Sequence, residues 1–128
     1  MPSPKSVTAR RPEHWSVDAR DAEVATLTVP AALGRERVFE IDLRFIVRTP
    51  PEAVGAWLSV LFELDGAREW TRRVDAQCPG QTDSLDFHCR RSVPEGRALR
   101  LRVTTQVGGG ARRQSLRLDA EEVLRDEA

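Results

Sequence analysis

The chain contains no tyrosine, two cysteines, two histidines and one lysine among its 128 residues. Two cysteines are too few for the disulfide framework of a small secreted domain. The most apolar window, residues 53–64, is shorter than the ~18 residues of a membrane-spanning helix. Residues 1–23 contain no apolar run of the kind that a secretory signal needs. We therefore expect a cytoplasmic protein without a membrane segment.

No charge of one sign dominates the sequence either. Acidic and basic residues number 20 each, so the formal net charge is zero and no general attraction to nucleic acid or to an anionic membrane is expected. A chain of this length is typical of one domain. Residues 1–14 are rich in proline, serine, threonine and arginine, which is typical of a flexible N-terminal arm. We assign the domain itself to residues 15–128.

Apolar residues recur with a period of two through most of the chain. In RVFEIDLRFIVR, every second side chain from Phe39 to Val47 is apolar, which indicates a strand with one buried face. Six further segments are predicted as strands: VATLTV, AWLSVLFELDG, EWTRRVDAQ, SLDFHCRRSV, RALRLRVTTQV and RRQSLRLDAEEV. The connections between them are rich in glycine and proline. The sequence thus predicts an all-β protein, a single antiparallel β-sandwich of jelly-roll type with seven or eight strands.

Three connections are predicted as tight turns. Asp65-Gly66 ends one strand as a turn, and Gly108-Gly109-Gly110 separates the similar segments LRLRV and LRLD, which favours a hairpin. The third connection lies within CPGQTDSLDFHC, residues 78–89, which holds both cysteines and His88.

The segment CPGQTDSLDFHC is compatible with two interpretations, a hairpin and a metal or redox site. In a hairpin, Cys78 and Cys89 face each other on the core side, either as buried thiols or as a cross-strand disulfide. In a metal site, His88 would have to converge with both cysteines, but adjacent residues of a strand point to opposite faces. We therefore favour the hairpin with two buried thiols, and the disulfide and the metal site remain alternatives.

The sequence offers little for catalysis. His14 falls in the predicted arm, and His88 falls on the polar face of its strand. The chain has no Gly-x-Ser-x-Gly motif and no phosphate-binding loop. General acid–base chemistry needs a positioned group with a tuned pKa in a cleft. We expect a protein that is not an enzyme, although a cleft around His88 would reopen that question.

One strand carries apolar side chains on its polar face. Trp57 and Leu61 lie on the outer side of AWLSVLFELDG, and Arg44 and Glu63 are predicted to flank them. An aromatic residue among charges is typical of a platform for a sugar or a peptide. Alternatively, the N-terminal segment covers this face, with Trp15 packed over Trp57.

The strand order and the closing segment LRLDAEEV resemble the galactose-binding-like jelly rolls of many carbohydrate-binding modules. The segments VFEIDLRFIV, WLSVLFELDG and VPEGRALRLRV carry the same resemblance, which covers residues 15–124. Such modules often hold a structural calcium near the first and last strands, so the resemblance implies a calcium site at Asp21, Glu23 and Asp119. These acids are otherwise three separate surface residues.

These observations predict a non-catalytic ligand-binding module of the carbohydrate-binding type. The predicted ligand-binding residues are Arg44, Trp57, Leu61 and Glu63. The alternative is a domain for protein interaction or assembly, in which the same face or an edge strand docks a protein partner or a second copy to form a homodimer.

Overall fold

A computed structural model describes residues 11–124, which form eight strands and no helix. No helix in this part of the chain is therefore long and apolar enough to span a membrane. The strands are β1 (His14–Asp18), β2 (Val24–Val29), β3 (Arg37–Arg48), β4 (Trp57–Leu64), β5 (Ala67–Asp75), β6 (Thr82–Val93), β7 (Leu99–Gly108) and β8 (Arg112–Glu122).

The strands form two four-stranded antiparallel sheets. Sheet A has the order β1-β8-β3-β6 and sheet B has the order β2-β7-β4-β5. The first four strands pair in reverse order with the last four, as β1 with β8, β2 with β7, β3 with β6 and β4 with β5. The chain is thus one long antiparallel hairpin, folded at β4–β5 and rolled into two sheets. This arrangement confirms the predicted jelly-roll sandwich.

The core lies between the two sheets and follows from the period of two. The side chains at alternate positions of β3, from Phe39 to Val47, are all buried, and so are those of β4 from Leu58 to Leu64. The intervening residues point outward and are polar in most positions. Because each strand has only one apolar face, the two sheets bury these faces against each other and leave two polar outer faces.

The turn at Asp65-Gly66 is confirmed, and the other two predicted hairpins are wrong. Asp65 and Gly66 both have positive φ, 49° and 83°, as a two-residue type I′ hairpin turn requires, and they join β4 to β5 within sheet B. The segments at 76–81 and 109–111 instead connect strands of different sheets, β5 to β6 and β7 to β8. In a rolled hairpin, β6 pairs with β3 and β8 pairs with β3 and β1, so neither pairs with the strand before it.

The predicted N-terminal arm, residues 1–14, lies mostly outside the described residues. Its last residue, His14, begins β1 and is paired with Glu121 of β8. β1 is short and was not predicted as a strand, yet Trp15 and Val17 are partly buried and pack against the core. The start of the sandwich therefore includes His14.

Candidate functional site

The outer face of sheet B carries most of the predicted ligand-binding residues. Trp57, Leu61 and Glu63 alternate with buried residues along β4 and point away from the core. β7 and β5 flank them, so that Glu63 lies between Arg102 and Arg68. The structure therefore brings three of the four predicted residues onto one face.

The prediction that Arg44 flanks Trp57 is wrong. Arg44 lies on β3 of sheet A, between Arg117 and Asp86, and its Nε is 3.3 Å from Oδ1 of Asp86. β3 and β4 are consecutive in the chain but belong to opposite sheets. Their outward side chains consequently lie on opposite surfaces of the sandwich.

The Trp57 indole packs against Gly108 and Arg73. A Cβ atom on Gly108 would lie 2.2 Å from Nε1 of Trp57, so the ring fills the space that a side chain at Gly108 would need. The guanidinium carbon of Arg73 lies 3.8 Å from the centroid of the indole. The alternative that Trp15 covers Trp57 is wrong, because Trp15 lies on β1 of sheet A and packs against the core. Trp57 is covered by Arg73 instead.

An open groove of about 780 Å³ lies at the end of sheet B near the β4–β5 turn. It is formed by the outer sides of β2 and β7, by the end of β4 and by the turn between β6 and β7. Seven of its side chains are polar or charged: Thr26, Thr28, Glu63, Asp65, Arg97, Arg100 and Arg102.

Backbone hydrogen bonds hold the walls of this groove together. Asp65 N donates to the carbonyl oxygen of Arg100 at 2.8 Å, and Arg100 N donates to Oδ1 of Asp65 at 2.9 Å. These bonds fix the β4–β5 turn to β7. On the opposite side, Nη2 of Arg37 donates to the carbonyl oxygen of Arg97 at 3.3 Å. The groove is therefore a preformed feature of the fold.

Arg37 is the most buried charged residue in the described part of the chain, with 2% of its surface exposed. Its Nη1 donates to Oε1 of Glu13 at 2.7 Å, and its Nη2 also donates to the carbonyl oxygen of Pro30 at 2.8 Å. Glu13 in turn accepts hydrogen bonds from Arg35 and from Nε1 of Trp15. This cluster ties the segment before β1 to the loops at one end of the sandwich.

The outer face of sheet A carries a second group of titratable side chains. His88 lies between two carboxylates, with Nδ1 at 2.9 Å from Oδ1 of Asp42 and Nε2 at 2.6 Å from Oε2 of Glu40. The hydrogen bond to Asp42 raises the pKa of His88 above its ordinary value, and the negative charges of both carboxylates act in the same direction. Glu40 also accepts a hydrogen bond from Nε of Arg90 at 2.7 Å, and this bond lowers the pKa of Glu40.

A smaller groove of about 450 Å³ runs beside His88. It is lined by charges of both signs, with Asp42, Asp86 and Asp119 facing Arg44 and Arg117. Most of these acids already have a partner in the sheet, since Asp42 contacts His88 and Asp86 contacts Arg44. These contacts are cross-strand pairs of charged side chains on the solvent-exposed face of a sheet.

The structure does not assemble the predicted calcium site. Asp119 lies on the outer face of sheet A, where its Oδ1 is 3.1 Å from Nε2 of His14. Asp21 lies in the turn between β1 and β2, and Glu23 precedes β2 with an exposed side chain. Within residues 11–124, no group of three histidine, cysteine, aspartate or glutamate side chains is arranged to hold a metal ion.

The two cysteines are free and far apart in the fold. Cys78 is exposed in the connection between the sheets, whereas Cys89 is half-buried on β6 and packs against the core. The prediction of two buried thiols facing each other is therefore wrong for Cys78, and no disulfide joins them. The reason is that β5 and β6 belong to different sheets. Burial raises the pKa of the Cys89 thiol above its ordinary value, with smaller contributions from Asp42 and Glu40.

The sequence pattern does not predict that Arg73, Gly108 and the arginines of the groove lie on one surface. Arg100 and Arg102 alternate with leucines in RLRLRV, which does place them on an outer face. The pattern cannot reveal which strands lie beside them, because it is the same in either sheet.

No protein-family model matches this chain, and no curated protein sequence matches it. Among solved structures, it is similar to the dimeric latent PorU from Porphyromonas gingivalis, with 8% identity and a TM-score of 0.46, over 93% of this chain and 14% of that one. It is also similar to a chain of the T13 particle of infectious bursal disease virus, with 16% identity and a TM-score of 0.39, over 88% of this chain and 36% of that one. A chain of the Gt strain of the same virus has 17% identity and a TM-score of 0.38, with the same two coverages of 88% and 36%. The present chain thus spans between 14% and 36% of these neighbours.

Proposed function

We propose that this chain is a non-catalytic ligand-binding module and that its ligand binds the outer face of sheet B. The observation that supports the proposal best is the groove of about 780 Å³ beside Glu63 and the β4–β5 turn. Its size lies within the range of roughly 300–1,000 Å³ that is typical of small-molecule sites. Because hydrogen bonds between Asp65 and Arg100 hold its walls, a ligand would bind without the cost of ordering a loop.

The ligand class that we propose is a carbohydrate. The hydroxyl groups of Thr26 and Thr28 and the carboxylate of Glu63 line the groove, and these groups donate to or accept from sugar hydroxyls. Leu61 adds a partly exposed apolar surface next to Glu63 on β4. Arg73 covers one face of the Trp57 ring, so a sugar would stack on that face only after Arg73 moved aside.

Two features of sheet A support the non-catalytic part of the proposal. A nucleophilic cysteine needs a lowered pKa, whereas burial raises the pKa of Cys89. A histidine that acts as a general base must be neutral at working pH, whereas the hydrogen bond that His88 donates to Asp42 raises the pKa of His88 and favours its protonated form.

The proposal is tested by a thermal-melt screen against neutral and acidic oligosaccharides. A ligand at 100 times its dissociation constant should stabilise the fold by about 2.7 kcal/mol, which is visible as a higher midpoint. We expect the Glu63→Gln variant to lose most of the shift. The matched control is Asp119→Asn on the outer face of sheet A, which should keep it. A shift that depends on Asp119 and not on Glu63, or no shift with any oligosaccharide, would contradict the proposal.

A second candidate function is assembly with another copy of the chain. It is favoured by the open side of the sandwich between the edge strands β5 and β6. There the half-buried ring of Trp70 stacks on Phe87 with centroids 4.6 Å apart. Arg72 on β5 and Asp86 on β6 line the same shallow groove, so a second copy in the inverse orientation would place opposite charges together.

Solution mass distinguishes this second candidate from the first. Sedimentation velocity of the whole chain should show a dimer that the Trp70→Ala and Arg72→Glu variants weaken. Arg112→Glu, an exposed arginine of β8 away from this side, is the matched control. A monomer at all concentrations would contradict assembly and would not affect the proposal of a ligand-binding module.

A further inference from the structure

Three arginine side chains line the groove on sheet B without an ion pair inside the described part of the chain. Arg97, Arg100 and Arg102 all border it. Within residues 11–124, none of them has a carboxylate oxygen within 4.0 Å. The outer face of sheet A differs, because Arg44 and Arg90 each contact a carboxylate there.

The nearest acids do not neutralise these arginines. Glu63 is the strand neighbour of Arg102, yet their side chains form no salt bridge. Asp65 uses Oδ1 to accept the backbone N–H of Arg100, so this carboxylate supports the turn. Three guanidinium groups against two carboxylates leave the groove with a net positive charge.

The backbone positions of the three arginines are fixed independently. Arg102 lies in the middle of the ladder between Thr26 and Glu63. Arg100 is held by its two hydrogen bonds to Asp65. The carbonyl oxygen of Arg97 is held by the buried Arg37. Arg100 and Arg102 point to the same side of one strand about 6.6 Å apart, a spacing that lets two guanidinium groups contact one anionic substituent from both sides.

From this geometry we propose that the groove binds an anionic group, and that the ligand of the module is an acidic saccharide. Arg100 and Arg102 would contact its carboxylate or sulfate, because a guanidinium donates two parallel hydrogen bonds to either anion. Arg97 would contact the same group or the next one along the saccharide. The hydroxyls of Thr26 and Thr28 would then meet the sugar ring. This inference rests on the proposed function and specifies its substrate class.

The test is isothermal titration calorimetry of the whole chain with three hexasaccharides. One is a hexagalacturonate, which carries carboxylates, one is a heparin-derived hexasaccharide, which carries sulfates, and one is the neutral maltohexaose. The variants are Arg100→Gln and Arg102→Gln. The matched control is Arg117→Gln, which removes an exposed arginine from the centre of the outer face of sheet A. Melting curves without ligand establish that each variant is folded.

We expect an acidic hexasaccharide to bind at least about tenfold more tightly than maltohexaose, and each groove variant to weaken that binding by about tenfold. Arg117→Gln should leave it unchanged. Better binding of the carboxylate or of the sulfate would identify the anion. Binding should also weaken as salt is added.

Four results would overturn the inference. One is equal binding of maltohexaose and the two acidic hexasaccharides, and another is binding of an acidic hexasaccharide that is unchanged in both Arg100→Gln and Arg102→Gln. Either result would leave a carbohydrate-binding module without a preference for an anionic ligand. An equal loss in Arg117→Gln would show diffuse charge attraction rather than a site. No binding of any hexasaccharide would remove the proposed function together with the inference.

Discussion

The guanidinium of Arg73 lies over the indole of Trp57, with its carbon 3.8 Å from the ring centroid. The two residues come from neighbouring strands of sheet B, where β5 pairs with β4. The indole also lies against Gly108 of β7, the residue paired with Trp57. An exposed cation–π contact of this kind contributes about 0.5–1 kcal/mol. Trp57 therefore acts as a packing residue of the sheet surface in the structure described.

Substitution of Gly108 by alanine should displace the Trp57 ring. The new Cβ would lie 2.2 Å from Nε1, so the indole must move away from β7. We expect the free energy of unfolding to fall by about 1–3 kcal/mol, as for other overpacked sites. Urea unfolding measures this change.

The control for that substitution is the same change in a Trp57→Ala background. Without the indole there is nothing for the Cβ to displace, so Gly108→Ala should cost much less there. Equal costs in both backgrounds would show that backbone conformation, and not the ring, is what requires glycine at this position.

Arg37 should be far more important for stability than its neighbour Arg35. Arg37→Ala leaves the carbonyl oxygens of Pro30 and Arg97 without their donor in a buried site. We expect the free energy of unfolding to fall by about 3 kcal/mol. Arg35→Ala, which removes a more exposed partner of the same Glu13 carboxylate, should cost about 1 kcal/mol or less. Similar losses in the two variants would contradict a special role for the buried guanidinium.

His88 should make stability depend on pH. Its pKa is raised in the folded chain by the hydrogen bond to Asp42, so its stabilising effect is complete below its ordinary pKa of 6.5 and is lost as pH rises through the raised pKa. The gap in unfolding free energy between the wild type and His88→Gln should therefore be larger at about pH 5.5 than at about pH 8.5.

The source of that pH effect can be tested by NMR titration of the His88 ring. Asp42→Asn should lower the pKa of His88 toward its ordinary value, because it removes the carboxylate that accepts from Nδ1. Asp75→Asn, on the other sheet, should leave the pKa of His88 unchanged. An unchanged titration in Asp42→Asn would contradict the assignment.

The two thiols should react at very different rates. Cys78 is exposed, whereas Cys89 is half-buried and its pKa is raised by burial, so its reactive thiolate is scarce. We expect the folded chain to show one fast and one slow thiol with a disulfide reagent such as Ellman's reagent. Cys78→Ser should abolish the fast phase, and Cys89→Ser should retain it. Two thiols of equal rate in the folded chain would contradict the structure.

The strands and the core could be predicted from sequence because the pattern is local. The alternation from Phe39 to Val47 identifies both the strand and its buried face without knowledge of any partner. The Asp65-Gly66 turn was likewise predictable, since these two residues readily adopt the positive φ that the hairpin needs.

The assignment of strands to sheets could not be predicted in the same way. An outward residue has the same pattern in either sheet, so Arg44 and Trp57 appeared to be neighbours although they lie on opposite surfaces. Glycine-rich connections suggested hairpins at 76–81 and 109–111, but a loop that crosses between sheets needs the same flexible residues. The partners of Cys78 and Cys89 were misassigned for this reason.

The reversed pairing of the strands also bears on how the chain folds. Among the strand pairs of residues 11–124, only β4–β5 joins strands that are adjacent in sequence, whereas the hydrogen bond from Glu13 N to Glu122 spans 109 residues. Contacts of such long sequence separation slow folding, because loop entropy is lost before they form. We expect the hairpin to nucleate the sandwich, with β3–β6, β2–β7 and β1–β8 added outward in turn. Strands β1 and β8 would then be the last to pair and, on unfolding, the first to separate.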